Sequence, residues 1–293
     1  MLALMGRPPP ALIARDVRRR FDRAAAGFDA ADFIHRVTFD ALLQRLSPVR
    51  IQPHIILDLG CATGSGSKPL GRRFRGCRVI SLDTSFAMLR VAARRKSMFT
   101  KRPALQCDAS RIPLKGGSVD LVFANMLLPW IDDLPACLSD IARVLRKDGV
   151  FAFATLGPDS LSEVRAAWRS IDADWHVNAY PDMHDIGDAL VRAGLRDPVL
   201  DVDHLTVTYR NTDALYRDLT RTGGRNCLRG RRQALTGKNR FHAMDQLLAA
   251  NMTEDVLSLR LELVYGHAWG GGPRLPEGEY RVDPALIPRR LRD

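Results

Sequence analysis

Residues 55–66 read Ile55-Ile56-Leu57-Asp58-Leu59-Gly60-Cys61-Ala62-Thr63-Gly64-Ser65-Gly66. An apolar run ends in an acid, and a glycine-rich turn follows at Gly60, Gly64 and Gly66. A helix-compatible stretch, Lys68 to Phe74, comes next. A buried strand feeding a glycine-rich turn and a helix N-terminus lets backbone approach a nucleotide-like ligand. Glycine recurs because the turn needs positive φ and has no room for a Cβ. Such a turn alone is weak evidence. A second apolar run, Cys77 to Leu82, ends in Asp83, about 20 residues after the turn. That is where an acidic residue meets a ribose diol.

Outward from this stretch, strand and helix patterns alternate. Candidate strands are 55–59, 77–82, 104–107, 119–125 and 149–155. Helical stretches lie near 67–74, 85–96 and 134–146, the last ending at Lys147-Asp148-Gly149. This rhythm predicts an α/β protein, with a parallel sheet and helices on both faces. Upstream, residues 1–14 read as a loose tail, and 15–46 carry apolar residues at helical spacing. Downstream, helices are expected after Pro158 and at 185–193, and strands near 199–209 and 259–269. Between those strands, 211–258 reads as a helical insertion with basic loops. A Gly/Pro-rich tail follows.

The chain has 293 residues, 46% of them hydrophobic, which supports a full core and argues against disorder. No apolar run approaches the ~20 residues that span a bilayer. Met1 to Pro10 lacks the apolar stretch of a signal peptide. Cys61, Cys77, Cys107, Cys137 and Cys227 show no C-x-x-C spacing. They read as small apolar residues in a reducing cytoplasm, with neither a metal site nor a disulfide framework. The formal net charge is +11. It reflects either a solvated basic surface or a partner that carries negative charge. The basic clusters at 15–23, 72–75, 94–102, 225–240 and 289–292 are dispersed and lack interleaved aromatics, which argues against nucleic acid.

Asp58 with the Gly60–Gly66 turn, Asp83, Asp108-Ala109 after the third strand and Asn125 at the end of the fourth together resemble the class I S-adenosylmethionine-dependent methyltransferases. The resemblance covers most of residues 55–156. It implies a Rossmann-like fold with a mostly parallel seven-stranded sheet and a helical insertion or lid. It also implies S-adenosylmethionine as cofactor, bound by Asp58, Gly60, Cys61, Ala62, Gly64, Asp83, Thr84, Asp108, Ala109 and Asn125. In that family the turn accommodates the methionine moiety, the second-strand acid takes the ribose hydroxyls, the third-strand Asp lies near the adenine, and the fourth-strand end faces the methyl group. A dehydrogenase is the competing reading, but it usually shows G-x-G-x-x-G. Ala62 departs from the family's usual glycine, and alanine is expected to exclude a strongly positive φ there without cost.

Further motifs extend the match to 155–269. They are Thr155-Leu156-Gly157-Pro158-Asp159-Ser160-Leu161, His176-Val177-Asn178, Met183-His184-Asp185, Leu205 to Tyr209 and Val264-Tyr265-Gly266-His267-Ala268-Trp269. Together they resemble the malonyl-acyl carrier protein O-methyltransferases of biotin synthesis. The resemblance implies methyl transfer to the free carboxylate of a malonyl group on an acidic acyl carrier protein. The alternative is a protein-modifying relative or assembly factor, of the kind related to the complex I assembly factor associated with arginine hydroxylation. Three regions follow: 1–54 as tail and helical lid, 55–156 as cofactor core, and 157–293 as substrate-facing insertion, last strands and tail. Arg165 is the residue expected to position the substrate carboxylate. The family often has a tyrosine near Phe28, where phenylalanine can cover the cofactor but cannot donate a hydrogen bond. Trp130 reads as core packing against substrate contact, and Tyr209 as substrate contact or sheet-edge filler. His176, His184 and His267 lack metal spacing and read as structural.

Overall fold

The computed structural model describes residues 10–95, 103–232, 234 and 236–272. The expected tail up to residue 9, much of the 94–102 basic cluster, the 289–292 cluster and the Gly/Pro-rich end lie outside the described residues.

Seven strands form one sheet: β1 (Ile55–Leu59), β2 (Arg78–Asp83), β3 (Ala104–Gln106), β4 (Val119–Asn125), β5 (Leu145–Leu156), β6 (Leu195–Tyr209) and β7 (Leu257–Gly270). Their spatial order is β3-β2-β1-β4-β5-β7-β6. β1 to β5 run parallel, and β7 is antiparallel to both its neighbours. The order reverses between β1 and β4. Ligands of open α/β sheets bind at such a switch point, beyond the C-terminal strand ends.

The strand sequences explain the layering. β1, β4 and the end of β5 are almost continuously buried, as expected of strands covered on both faces. Alternate residues serve opposite cores. Leu57, Val122 and Phe151 pack toward α5 (Leu134–Val144) and α7 (Met183–Arg192) through Leu138, Ile141, Ile186 and Leu190. Ile56, Leu121, Phe123 and Tyr265 pack toward α2 (Phe33–Arg45) and α3 (Ser67–Arg73) through Phe39, Leu42 and Leu70. α6 (Ser162–Arg169), α8 (Thr212–Arg221) and α9 (Lys238–Ala249) gather around a third core with Leu215, Met244 and Leu248. The boundary expected at 156 therefore falls inside one continuous sheet.

Three local expectations change. The 15–46 helical pattern splits into α1 (Ala14–Ala24) and α2, joined through a 3-10 turn at Phe28–Ala30. Gly27, a weak helix former, lies in the break. Residues 11–13 are not loose: Ile13 N donates to Cys227 O at 2.9 Å and Arg229 N to Ala11 O at 2.7 Å. Lys147-Asp148-Gly149 is not a helix stop. α5 ends at Val144, β5 already starts at Leu145, and the pairing slips by a bulge opposite Asp120. At the bulge the Asp120 carboxylate accepts from His54 N, Ile55 N and Arg146.

None of the five cysteines forms a disulfide. Among the described residues, no helix is long and apolar enough to cross a membrane.

Candidate functional site

The turn after β1 is shaped by its glycines. Gly60 has φ +73°, and a Cβ there would lie 2.9 Å from Leu127 Cδ1. Gly64 also has φ +73°, and its Cβ would lie 2.8 Å from Ala92 Cβ. Ala62 adopts a left-handed backbone, with φ +47°, and so carries the cost expected of an alanine there. That conformation costs an L-residue ~1–2 kcal/mol. The partner that holds it is Asp83, whose Oδ2 accepts from Ala62 N at 2.9 Å.

Asp83 ends β2 with both oxygens engaged, since Oδ1 accepts from Ser85 N at 2.8 Å. Burial pushes its pKa up to about 6, against the pull of those two N–H groups. Asp58 is also raised to about 6 by burial, with the nearby Asp83 charge adding to the effect. Its Oδ2 accepts from Ser67 Oγ, which in turn lies 3.0 Å from Ser81 Oγ. Asp58 thus ties the turn to the first residue of α3.

A cavity of about 290 Å³ opens beyond β1, β2 and β4. Of the residues expected to hold the cofactor, Gly60, Ala62, Asp83, Thr84, Asp108, Ala109 and Asn125 line it. Asp58, Cys61 and Gly64 are not among its lining; they build the turn from beneath. Asp108 also closes an Asx turn through Ser110 N at 2.8 Å. Asn125 Nδ2 donates to His35 O at 2.8 Å, while its buried Oδ1 has no partner.

The N-terminal segment roofs this cavity. Val17, Phe21, Phe28 and His35 line it from above, and Phe28 lies 5.0 Å from the His35 ring. The roof is strapped down at two points. Ser85 Oγ donates to Asp22 at 2.6 Å, and Thr63 Oγ1 donates to Asp29 at 2.6 Å. Arg95 of the segment after α4 (Phe86–Arg94) also pairs with Asp29.

A second cavity of about 90 Å³ adjoins the first and shares His35, Met126 and Trp130 with it. Its walls are largely apolar, including Leu156, Leu161, Val207 and Leu261, with His35, Tyr180, Tyr209 and Thr222 as polar exceptions. Trp130 therefore stands at the border of two cavities rather than in the core, edge-on to Phe21 at 5.1 Å. Among the described residues, no lysine or arginine lines either cavity.

Arg165 lines neither of these two cavities. It lines a separate small pocket with Trp168, Trp175 and His176. Its guanidinium donates to Pro158 O at 2.9 Å and Ser160 O at 3.2 Å, which braces the 157–161 loop. His176 bonds Asp172 at 2.7 Å and stacks on Trp168 at 3.7 Å, and His184 bonds Asp182. Asp172, Asp174 and His176 are the one grouping of metal-ligand type among the described residues, and Asp172 is already engaged by His176 and Arg240.

Sequence reading missed His35 and Tyr180. His35 lies on a helix whose spacing reports only apolar positions, and Tyr180 lies in a segment without regular structure. Neither position belongs to a motif that a single sequence reveals.

A family model described as a methyltransferase domain matches residues 57–153. The malonyl-[acyl-carrier protein] O-methyltransferase of Methylovorus sp. is 40% identical over 270 residues, covering 89% of this chain and 91% of the relative. That of Laribacter hongkongensis is 40% identical over 285 residues, covering 94% and 92%. Among solved structures, Haemonchus contortus phosphoethanolamine N-methyltransferase 2 in complex with S-adenosyl-L-methionine superposes with a TM-score of 0.55 at 20% identity, covering 88% of this chain and 60% of that one. The last shares the fold. At this identity and coverage, the chain belongs to the malonyl-[acyl-carrier protein] O-methyltransferase family of class I methyltransferases.

Proposed function

We propose that the enzyme methylates the free carboxylate of malonyl-acyl carrier protein, giving the methyl ester that primes pimeloyl synthesis for biotin. The observation that carries the reading is the pair of joined cavities: one edged by acid-tipped strand ends, the other largely apolar and, among the described residues, lined by no cation. The first suits S-adenosylmethionine. Its glycine-lined floor leaves room for backbone approach, Asp83 offers a charged acceptor for a diol, and the unpartnered Asn125 Oδ1 awaits a ligand group. When bound, the cofactor supplies a methyl group on cationic sulfur, and the C–S pair stays with sulfur as a carboxylate oxygen forms the C–O bond. The chain's residues need supply no general base, because a carboxylic acid with pKa near ~4 is ionised at pH 7. Their work is alignment and exclusion of water, worth roughly 7–11 kcal/mol in well-oriented systems. Cysteines outside any disulfide suit a reducing cytoplasm.

Mass spectrometry of malonyl-acyl carrier protein incubated with enzyme and cofactor tests this. One added methyl on the malonyl group is expected. Cofactor binding without that gain would overturn the reading.

The carrier protein has a docking face to meet. Two basic clusters that look separate in sequence come together in the fold. α1 carries Arg15, Arg18, Arg19, Arg20 and Arg23, and residues 225–232 carry Arg225, Arg229, Arg231 and Arg232. Arg20 Nη2 donates to Asn226 O at 2.9 Å, and Arg231 pairs with Asp16 at 2.5 Å. This face adjoins both cavities, through Val17 and Phe21 on one side and Gly224 on the other. Exposed charges are screened within ~10 Å at 0.1 M salt. The association rate with an acidic carrier protein will therefore fall steeply with salt in stopped-flow. A flat salt dependence would make the charge merely solubilising.

Arg165 then acts as a positioning residue. Arg165→Ala leaves two carbonyls short of a partner, and melting should report a loss of about 1–3 kcal/mol. Turnover of the folded variant should stay within about tenfold of wild type. A loss of ~100-fold or more at unchanged stability would return the carboxylate to Arg165.

A further inference from the structure

We infer that the acceptor carboxylate is held by three neutral hydrogen-bond donors, His35, Tyr180 and Tyr209, and, among the described residues, by no arginine or lysine. The inference rests on the methyl-to-carboxylate reading above.

The second cavity is where an acceptor must wait, since it meets the first only at His35, Met126 and Trp130. A carboxylate entering it finds no cation among the described lining residues. It finds Tyr180 and Tyr209 instead, whose hydroxyls make no hydrogen bond within the described residues. Burial pushes both phenols up to about 12, so each keeps its proton and donates. At the border stands His35, whose Nδ1 is buried without a partner. Burial lowers this imidazole to about 4, so at pH 7 it is neutral and carries one N–H. Buried polar atoms are ordinarily paired, and His35 Nδ1 and Asn125 Oδ1, two buried atoms without a partner beside one another at this junction, indicate a ligand that completes them.

The chemistry favours neutral donors. The transfer joins an anion to a cation and leaves neither. An arginine fork would stabilise the carboxylate most before reaction, and that stabilisation would add to the barrier. Phenol and imidazole N–H groups orient the same oxygens with a weaker hold. Apolar walls withhold water, which strengthens the attraction between the carboxylate and the sulfonium. The buried arginine contributes at one remove. Arg165 lies outside the cavity but close enough to Tyr180 to pull that phenol's pKa down against burial, which makes it a better donor.

The roles differ by position. Tyr180 and Tyr209 lie in the waiting chamber, so their hydroxyls bind the acceptor. His35 spans both cavities, so it aligns the attacking oxygen. Tyr180→Phe and Tyr209→Phe should each raise KM for malonyl-acyl carrier protein about tenfold, with kcat within about threefold. His35→Phe should lower kcat/KM by about 100-fold, and His35→Gln, which restores a neutral donor, should recover most of it. S-adenosylhomocysteine affinity and the melting temperature should stay level in both tyrosine variants, because their hydroxyls hold nothing else. If the wild type gives no methyl ester, the functional reading itself fails. If the wild type turns over and the double Tyr180→Phe/Tyr209→Phe variant keeps its KM, or His35→Gln is no better than His35→Phe, the assignment of these donors is wrong.

Discussion

Asp83→Ala will weaken S-adenosylhomocysteine binding by about 100-fold, or roughly 2.8 kcal/mol. Hydrogen bonds to a charged group contribute ~1.5–3 kcal/mol, and a diol offers two. The substitution also strands Ala62 N and Ser85 N, which Asp83 now accepts at 2.9 and 2.8 Å. With its anchor gone, the left-handed Ala62 relaxes and the turn loses its shape. The same carboxylate sets a pH dependence. Its folded pKa of about 6 lies above the ordinary value of ~3.9, so the free protein holds this proton through that interval. Stability from this group is therefore greatest below ~4 and is lost as pH rises toward 6. Cofactor binding has the opposite sign, because the diol prefers the ionised form. Affinity should be flat above about pH 7 and fall up to ~10-fold per unit below 6. Titration calorimetry of wild type and Asp83→Asn separates this from Asp58, which also lies near 6. An unchanged affinity in folded Asp83→Ala, or the same pH profile in Asp83→Asn, would remove the assignment.

Gly60→Ala will destabilise the protein by about 3 kcal/mol. Two costs add. A Cβ at φ +73° costs ~1–2 kcal/mol in backbone strain. The same Cβ lies 2.9 Å from Leu127 Cδ1, and such overpacking costs ~1–3 kcal/mol. Gly76 separates them. It has φ +81° with nothing within 4 Å of its would-be Cβ, so Gly76→Ala should show the backbone cost alone. Urea melts of the two variants should differ by ~1–3 kcal/mol. Equal losses would show that Leu127 yields freely. Gly60→Ala should also lose cofactor affinity, because Gly60 lines the cavity and Gly76 does not.

What could be read from sequence follows from where the physics is local. Strand, turn and acid-ended strand lie within about 30 residues of one another in β1–β2, so Asp83 and the Gly60 turn were legible, and seven of the named cofactor positions line one cavity. The residues that build the second cavity come from α2, β5, the loop before α7, β6, α8 and β7, and only those in the 155–161 and 205–209 motifs were marked in sequence. Tyr209 reaches the cavity through the antiparallel β6–β7 addition and Tyr180 through a loop without regular structure, so no local pattern brings the two together. Arg165 marks the limit of such reading. The sequence places an arginine after the fifth strand, but does not show that its guanidinium reaches back to Pro158 and Ser160.

The pairing of residues 11–13 with 227–229 carries a consequence for biogenesis. Leu12 bridges Leu228, and Arg20 reaches Asn226. Chains leave the ribosome N-terminus first, at ~5–20 residues per second. α1 therefore emerges early and waits for its clasp until more than 200 further residues have been made, as the separation of Arg20 and Asn226 requires. The sheet order lets β1 to β5 assemble in the meantime. During that interval Ser85 and Thr63 can already hold the roof through Asp22 and Asp29, and Phe28 can pack on Met88. A nascent chain stalled before residue 227 should thus have its cofactor cavity covered but lack the clasp along the outer edge of α1, which closes only when 226–229 arrive.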